Sequence, residues 1–211
     1  MRPSVPVSDY ERDFCPAARG LRVERAHLAA IGWLQLERDD RVLDLGCGTG
    51  ALLRTMATHP RAVGLDHSPM ALAVARAALP GQSLVRGNAA ALPFADAAFD
   101  RIAALGVLGW LDRDQLAQCL HECARVLRPG GMLLACTGRR LNAVPAWLRP
   151  RGRSPGVRSF LHARSVYRGA AAAAGLQYVD WTSAGHLPRR WWSAALRPLF
   201  AVRWLRALKP R

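Results

Sequence analysis

Apolar residues along this chain fall into short unbroken runs, separated by stretches in which they return every three or four positions. The first pattern predicts buried strands and the second amphipathic helices. A strand through Val42-Leu43-Asp44-Leu45 enters a glycine-rich turn, and a helix starts at about Ala51. Helix 51–58, strand 62–66, helix 69–79, strand 82–86, strand 99–104, helix 113–127 and strand 131–137 then alternate. Ser68-Pro69 supplies a cap and a first helical residue, and Pro129-Gly130-Gly131 stops a helix. Regular alternation with near-continuous apolar strands implies a parallel sheet covered on both faces. Ligands of such sheets lie beyond the carboxyl ends of the strands, where the strand order reverses.

The chemistry-bearing residues sit at those ends. Gly46, Gly48 and Gly50 alternate after the first strand, where glycine accepts positive φ and lets a ligand lie against the backbone. Asp44 faces the same crevice and can accept hydrogen bonds from an ammonium group. No lysine accompanies the turn, which argues against a phosphate cradle. Asp66 closes the second strand about 20 residues beyond the glycines, a spacing suited to bidentate acceptance from ribose hydroxyls. Arg86-Gly87-Asn88-Ala89-Ala90-Ala91-Leu92-Pro93-Phe94 follows, then Phe99-Asp100 opening a strand, then Arg125-Val126-Leu127-Arg128-Pro129-Gly130-Gly131.

In this order, with G-x-G-x-G in place of the dinucleotide-binding G-x-G-x-x-G, the motifs closely resemble class I S-adenosylmethionine-dependent methyltransferases. They are most similar to the broad group that includes ubiquinone and menaquinone biosynthesis enzymes. The resemblance covers roughly residues 40–137. It implies a Rossmann-like, doubly wound, mostly parallel α/β sheet with helices on both faces, and S-adenosyl-L-methionine as methyl donor. It also implies a cofactor-binding set of Asp44, Gly46, Cys47, Gly48, Gly50, Asp66, His67, Asn88, Ala89 and Leu105. Within it Asp66 holds the ribose and His67 lies beside the adenine. Asn88 stands where the family carries an aspartate. Its carbonyl can still accept from the adenine amino group, without charge assistance, so weaker cofactor binding is expected. The R-V-L-R-P-G-G phrase is expected to serve packing. No catalytic base is assigned. His162, His186 and Tyr167 lie in the substrate-side third but read as surface or packing residues, and Tyr10 matches a cofactor-contacting tyrosine only loosely.

A chain of 211 residues, 51% hydrophobic, can bury one sizeable core. It is read as a helical cap over 1–41, a cofactor-binding core over 42–138 and a basic segment over 139–211 that completes the same domain. The five cysteines are scattered, read as buried thiols of a reducing compartment, and no metal is expected. No spanning helix or signal core is evident, so the expected location is cytoplasmic, with peripheral attachment to the inner face of the membrane as an added reading.

Charge divides the chain sharply. Residues 1–138 carry 15 Arg against 14 Asp and Glu, whereas 139–211 carry 14 Arg and one Lys against the single Asp180. Such a one-sign surface attracts anionic partners. Residues 162–174 read as a helix and 176–182 as a strand. For 199–209 two readings stand. A basic amphipathic helix with Trp204 is preferred, which with Trp191 and Trp192 would bring 189–211 to an anionic membrane. The alternative is a closing strand of the sheet. The function implied is methyl transfer to a small, lipophilic acceptor (quinone-, lipid- or polyketide-like), achieved by proximity and orientation. An RNA-directed enzyme using the basic third, and a non-catalytic partner-binding protein, are the alternatives.

Overall fold

All four residues of β1 (Val42–Leu45) are buried. A strand buried on both faces needs a covering layer on each side, which crossover helices supply. The structure, a computed structural model, describes residues 21–56, 59, 61–137, 160, 162–180, 183–184 and 202–211. Around β1 the chain builds α1 (Leu21–Leu34), α2 (Ala51–Thr55), β2 (Ala62–Asp66), α3 (Pro69–Ala78), β3 (Ser83–Arg86) and β4 (Phe99–Leu105). A 3-10 turn (Leu108–Trp110), α4 (Arg113–Val126), β5 (Leu127–Thr137), α5 (Arg164–Ala173), β6 (Gln177–Asp180), β7 (Ser183–Ala184) and β8 (Val202–Leu208) follow.

The strands form one sheet in the order β3-β2-β1-β4-β5-β8-β6, with β7 also paired to β8. The pairs from β3 through β5 are parallel, and β8 runs antiparallel to its neighbours. This is the mostly parallel α/β sheet implied by the alternation. Chain order reverses between β1 and β4, which opens a crevice at their carboxyl ends.

Two apolar layers flank the sheet. Leu116, Leu120, Phe99, Ile102, Tyr167 and Leu205 pack under α4 and α5 on one side. Leu34, Leu52, Leu53, Leu72 and Trp204 pack under α1, α2 and α3 on the other.

Local chemistry sets the element ends. The Ser68 hydroxyl accepts from Ala71 N at 3.2 Å, with Pro69 as the first helical residue of α3. Asp112 and Gln115 exchange side-chain and backbone bonds in a capping box at the start of α4. α4 stops one residue short of the expected boundary because Leu127 already pairs with Phe99. From there Arg128-Pro129-Gly130-Gly131 bulges out before Met132 pairs with Arg101. Gly130 N donates to Lys209 O, and Lys209 N to Gly131 O, each at 2.9 Å. The Lys209 ammonium donates to Leu127 O at 2.7 Å.

The preferred helix over 199–209 is overturned. Residues 202–208 form β8, inserted between β5 and β6, with Ala135 opposite Leu205 and Cys136 opposite Trp204. Side chains of a strand alternate between faces. Leu205 and Ala207 therefore enter one layer, and Trp204 enters the other. The Trp204 ring meets Trp33 of α1 edge-on, with centroids 4.8 Å apart. A tryptophan at 2% exposure is not a membrane anchor. Trp191 and Trp192, and the arginines between 138 and 159, lie outside the described residues.

Trp204→Ala is expected to destabilise the protein by about 3–5 kcal/mol through the cavity it leaves. Urea unfolding would show this as a lower midpoint. A midpoint equal to wild type would contradict its place in the core.

Candidate functional site

β1 and β2 lie side by side, with Asp44 opposite Gly64 and Leu45 opposite Leu65. Beyond them the chain turns through Gly46 (φ 75°), Gly48 (φ 55°) and Gly50 (φ 81°), three positive values that glycine adopts without strain. Gly46 N and Cys47 N both donate to Leu65 O, at 2.7 and 3.0 Å, which ties the turn to β2. Close packing adds a second constraint at Gly46, where a Cβ would lie 1.9 Å from Val107 Cγ2. Val107 follows β4 and closes over the turn, a contact with no signal in the sequence.

Two carboxylates face this turn, both almost without solvent access: Asp44 at 2% and Asp66 at 3% exposure. Their surroundings push them apart. Burial, and then the nearby charge of Asp66, push Asp44 up to about 8. Its Oδ2 is buried with no hydrogen-bond partner among the described residues. Asp66 is opposed by burial too. Its contact with His67 and the N–H groups of Ser68 and Gly48 outweigh that burial, holding it below the usual carboxylate range. Asp66 Oδ2 accepts from Gly48 N at 2.9 Å and Oδ1 from Ser68 N at 2.8 Å. One acid thus ties the glycine turn to the start of α3, while its neighbour keeps a buried acceptor oxygen without a partner among the described residues.

The rest of the expected set divides by what each residue presents. The Cys47 side chain is buried, packing with Leu52 and Leu53; its Sγ would be 2.9 Å from a Cβ at Gly64 and donates to Gly48 O of the turn at 3.8 Å. His67 is exposed on the lip of the site. Asn88 and Ala89 follow β3 on the same rim. The Asn88 carbonyl already accepts from Ala90 N at 3.0 Å, so an adenine amino group would have to share that oxygen. Leu105 ends β4 and packs, half-buried, against the layer beneath α1. All ten residues belong to the carboxyl ends of β1 to β4.

The loop after Asn88 is clamped by Glu122 and by Arg125, the first residue of the phrase that was expected only to pack. Arg125 of α4 donates to the carbonyls of Leu92 and Phe94 at 3.0 and 2.8 Å, and to Asp96 at 2.7 Å. Glu122, one helical turn earlier, binds Arg125 and accepts from Leu92 N at 2.7 Å. Glu three residues before Arg on one helix face was the available signal.

His162 donates through Nε2 to Leu111 O at 2.9 Å, since a carbonyl can only accept. Its ring meets the edge of buried Tyr167, with centroids 5.6 Å apart. Both fasten α5 to the turn after β4, a packing role. His186 and Tyr10 lie outside the described residues. Cys47, Cys119, Cys123 and Cys136 are free thiols. Among the described residues, no three His, Cys, Asp or Glu side chains gather as a metal site.

Residues 43–135 match the family described as "Methyltransferase domain". Over those residues the chain is similar to S-adenosylmethionine-dependent methyltransferases. The chain is 43% identical over 98 residues to a demethylmenaquinone methyltransferase of Chlorobaculum parvum, covering 45% of this chain and 39% of the relative. It is 38% identical over 110 residues to a 2-phytyl-1,4-naphtoquinone methyltransferase of Thermosynechococcus vestitus, covering 48% of each. These matches span less than half the length of either relative. Among solved structures, an S-adenosylmethionine-dependent methyltransferase from Mesorhizobium loti superposes with a TM-score of 0.71 at 22% identity, covering 90% of this chain and 99% of that one. Geranyl diphosphate C-methyltransferase from Streptomyces coelicolor superposes with a TM-score of 0.67 at 18% identity, covering 88% and 80%. At such identities the superpositions show a shared fold.

The raised carboxyl of Asp44 has a consequence for stability. In the unfolded chain Asp44 ionises near 3.8, whereas in the folded domain it keeps its proton to about 8. Its contribution therefore turns increasingly unfavourable as pH rises from about 4 to about 8, and is constant above that. Asp44→Asn is expected to raise stability at pH 8 by upwards of about 1 kcal/mol and to leave it nearly unchanged at pH 4. Thermal unfolding at the two pH values checks this.

Proposed function

We propose that this domain binds S-adenosylmethionine in the crevice between β1, β2 and β4 and transfers its methyl group to a small, lipophilic acceptor. The observation that carries the reading is the buried Asp44 Oδ2, without a partner among the described residues, beside a glycine turn that Asp66 ties in place. An unsatisfied buried carboxylate oxygen is costly, and an ammonium donor removes that cost. The α-amino group of the cofactor supplies such a donor, and drives Asp44 to its ionised form as it binds. Asp66 offers the ribose a carboxylate already ionised and fixed by two backbone donors. Asn88 and Ala89 lie where an adenine edge would reach them, and Gly46 and Gly48 let the methionine portion approach the backbone.

The bound sulfonium supplies an activated methyl group for in-line displacement. The protein's part is to hold the acceptor against that methyl and keep water out. Gly106, after β4, has no atom of the described residues within 4 Å of the place a Cβ would take. The quinone-directed relatives support a lipophilic ring as the acceptor class. No helix among the described residues is long and apolar enough to cross a membrane.

Calorimetry with S-adenosylmethionine tests the reading. Binding is expected for the wild type and none for Gly48→Val, whose side chain would fill the cradle. Asp66→Ala should weaken binding by about 1–3 kcal/mol through the lost charge-assisted bonds. Binding of NADH with no response to S-adenosylmethionine would overturn the assignment. Transfer of labelled methyl to a demethylated naphthoquinone, rather than to RNA, is the expected outcome of an acceptor screen.

A further inference from the structure

The partners of Asp66 are not equally permanent. Gly48 N and Ser68 N belong to the glycine turn and the start of α3, and cannot leave without undoing both. His67 is different. Its Nδ1 stands 3.4 Å from Asp66 Oδ1, yet its side chain is 80% exposed. The same oxygen already accepts from Ser68 N. A carboxylate oxygen has about two acceptor directions, and the imidazole stands where it competes for the second.

We propose that His67 is a displaceable occupant of the Asp66 oxygen that a ribose hydroxyl needs, so that nucleoside binding requires the ring to leave and affinity falls as His67 becomes protonated. The inference rests on the function proposed above and adds a residue that sets cofactor affinity.

The charges around the ring define the sign. Asp66 at the end of β2 favours the imidazolium. Burial opposes it, as does Arg86 at the end of β3, whose Nε donates to the His67 carbonyl at 3.4 Å. The net effect in the free protein raises His67 above its ordinary value. From the glycine turn Cys47 stays a neutral thiol, and Ser68 at the start of α3 is uncharged. Asp44 on β1 is raised by the charge of Asp66 and is not among the groups that shift the ring. Once displaced, the ring loses the Asp66 contact and its pKa drops. Binding therefore releases protons across a window that ends at the raised value of the free protein. Affinity climbs with pH through that window and is flat on either side.

The test uses 5′-methylthioadenosine, which carries the ribose and adenine but no ammonium group, so that Asp44 does not contribute. Calorimetry between pH 5.5 and 8.5, in buffers of different ionisation enthalpy, compares the wild type with His67→Ala and His67→Gln. The wild type should gain affinity severalfold with rising pH and release a fraction of a proton in mid-range. Both variants should bind with little pH dependence, and His67→Ala at least as tightly as the wild type at pH 8.5. Equal pH dependence in wild type and His67→Ala would overturn the proposal. So would weaker binding by His67→Ala at every pH, which would mean that the ring stacks on the nucleoside. A wild type that binds neither this probe nor S-adenosylhomocysteine at any pH would overturn the methyltransferase reading as well.

Discussion

A carboxylate stripped of nearly all solvent has to be satisfied by fixed donors, and Asp66 meets that requirement with the backbone of two separate elements. Its Oδ2 holds the middle glycine of the turn after β1, and its Oδ1 holds the residue that caps α3. The glycine turn is tied to β2 a second time through Leu65 O. One short side chain therefore fixes the spacing between β1 and β2 at their carboxyl ends. The raised Asp44 carboxyl, the burial of Cys47 and the exposed position of His67 all follow from that spacing.

Much of the cofactor half was legible because its constraints are local. Positive φ at alternate positions demands glycine, a serine-proline pair starts a helix, and an acid at a strand end has few reasons to be apolar-flanked unless it binds something. Residues 62–66 and the start of α3 fall where the apolar runs placed them. Val107 was illegible. Its contact with Gly46 joins two turns about 60 residues apart, and nothing in a valine's neighbourhood announces which glycine it will cover. The second role of Asn88 was similarly hidden, since an Asx turn two residues long looks like any other polar loop.

The closing strand shows the opposite failure. Arg203 and Arg206, three residues apart among apolar neighbours over 202–208, fit both a cationic helix face and a strand of the sheet. Propensity cannot separate the two when the tryptophan that looks like an interfacial anchor is also the largest core side chain. What decides is tertiary. β5 presents Met132 to Thr137 as an unpaired row of backbone donors and acceptors, and β8 satisfies it along its length. A helix over the same residues would have left that row open.

That arrangement has a price in time. β8 lies between β5 and β6, yet it follows the end of β5 by about 65 residues. During vectorial synthesis at roughly 5–20 residues per second, the edge of β5 waits on the order of several seconds for its partner. β6 is made earlier still and has no place to dock until β8 arrives. An apolar strand edge held open for that long is a template for pairing with other chains. The nascent protein therefore passes through an interval in which it depends on chaperones, or on low local concentration, to stay unpaired.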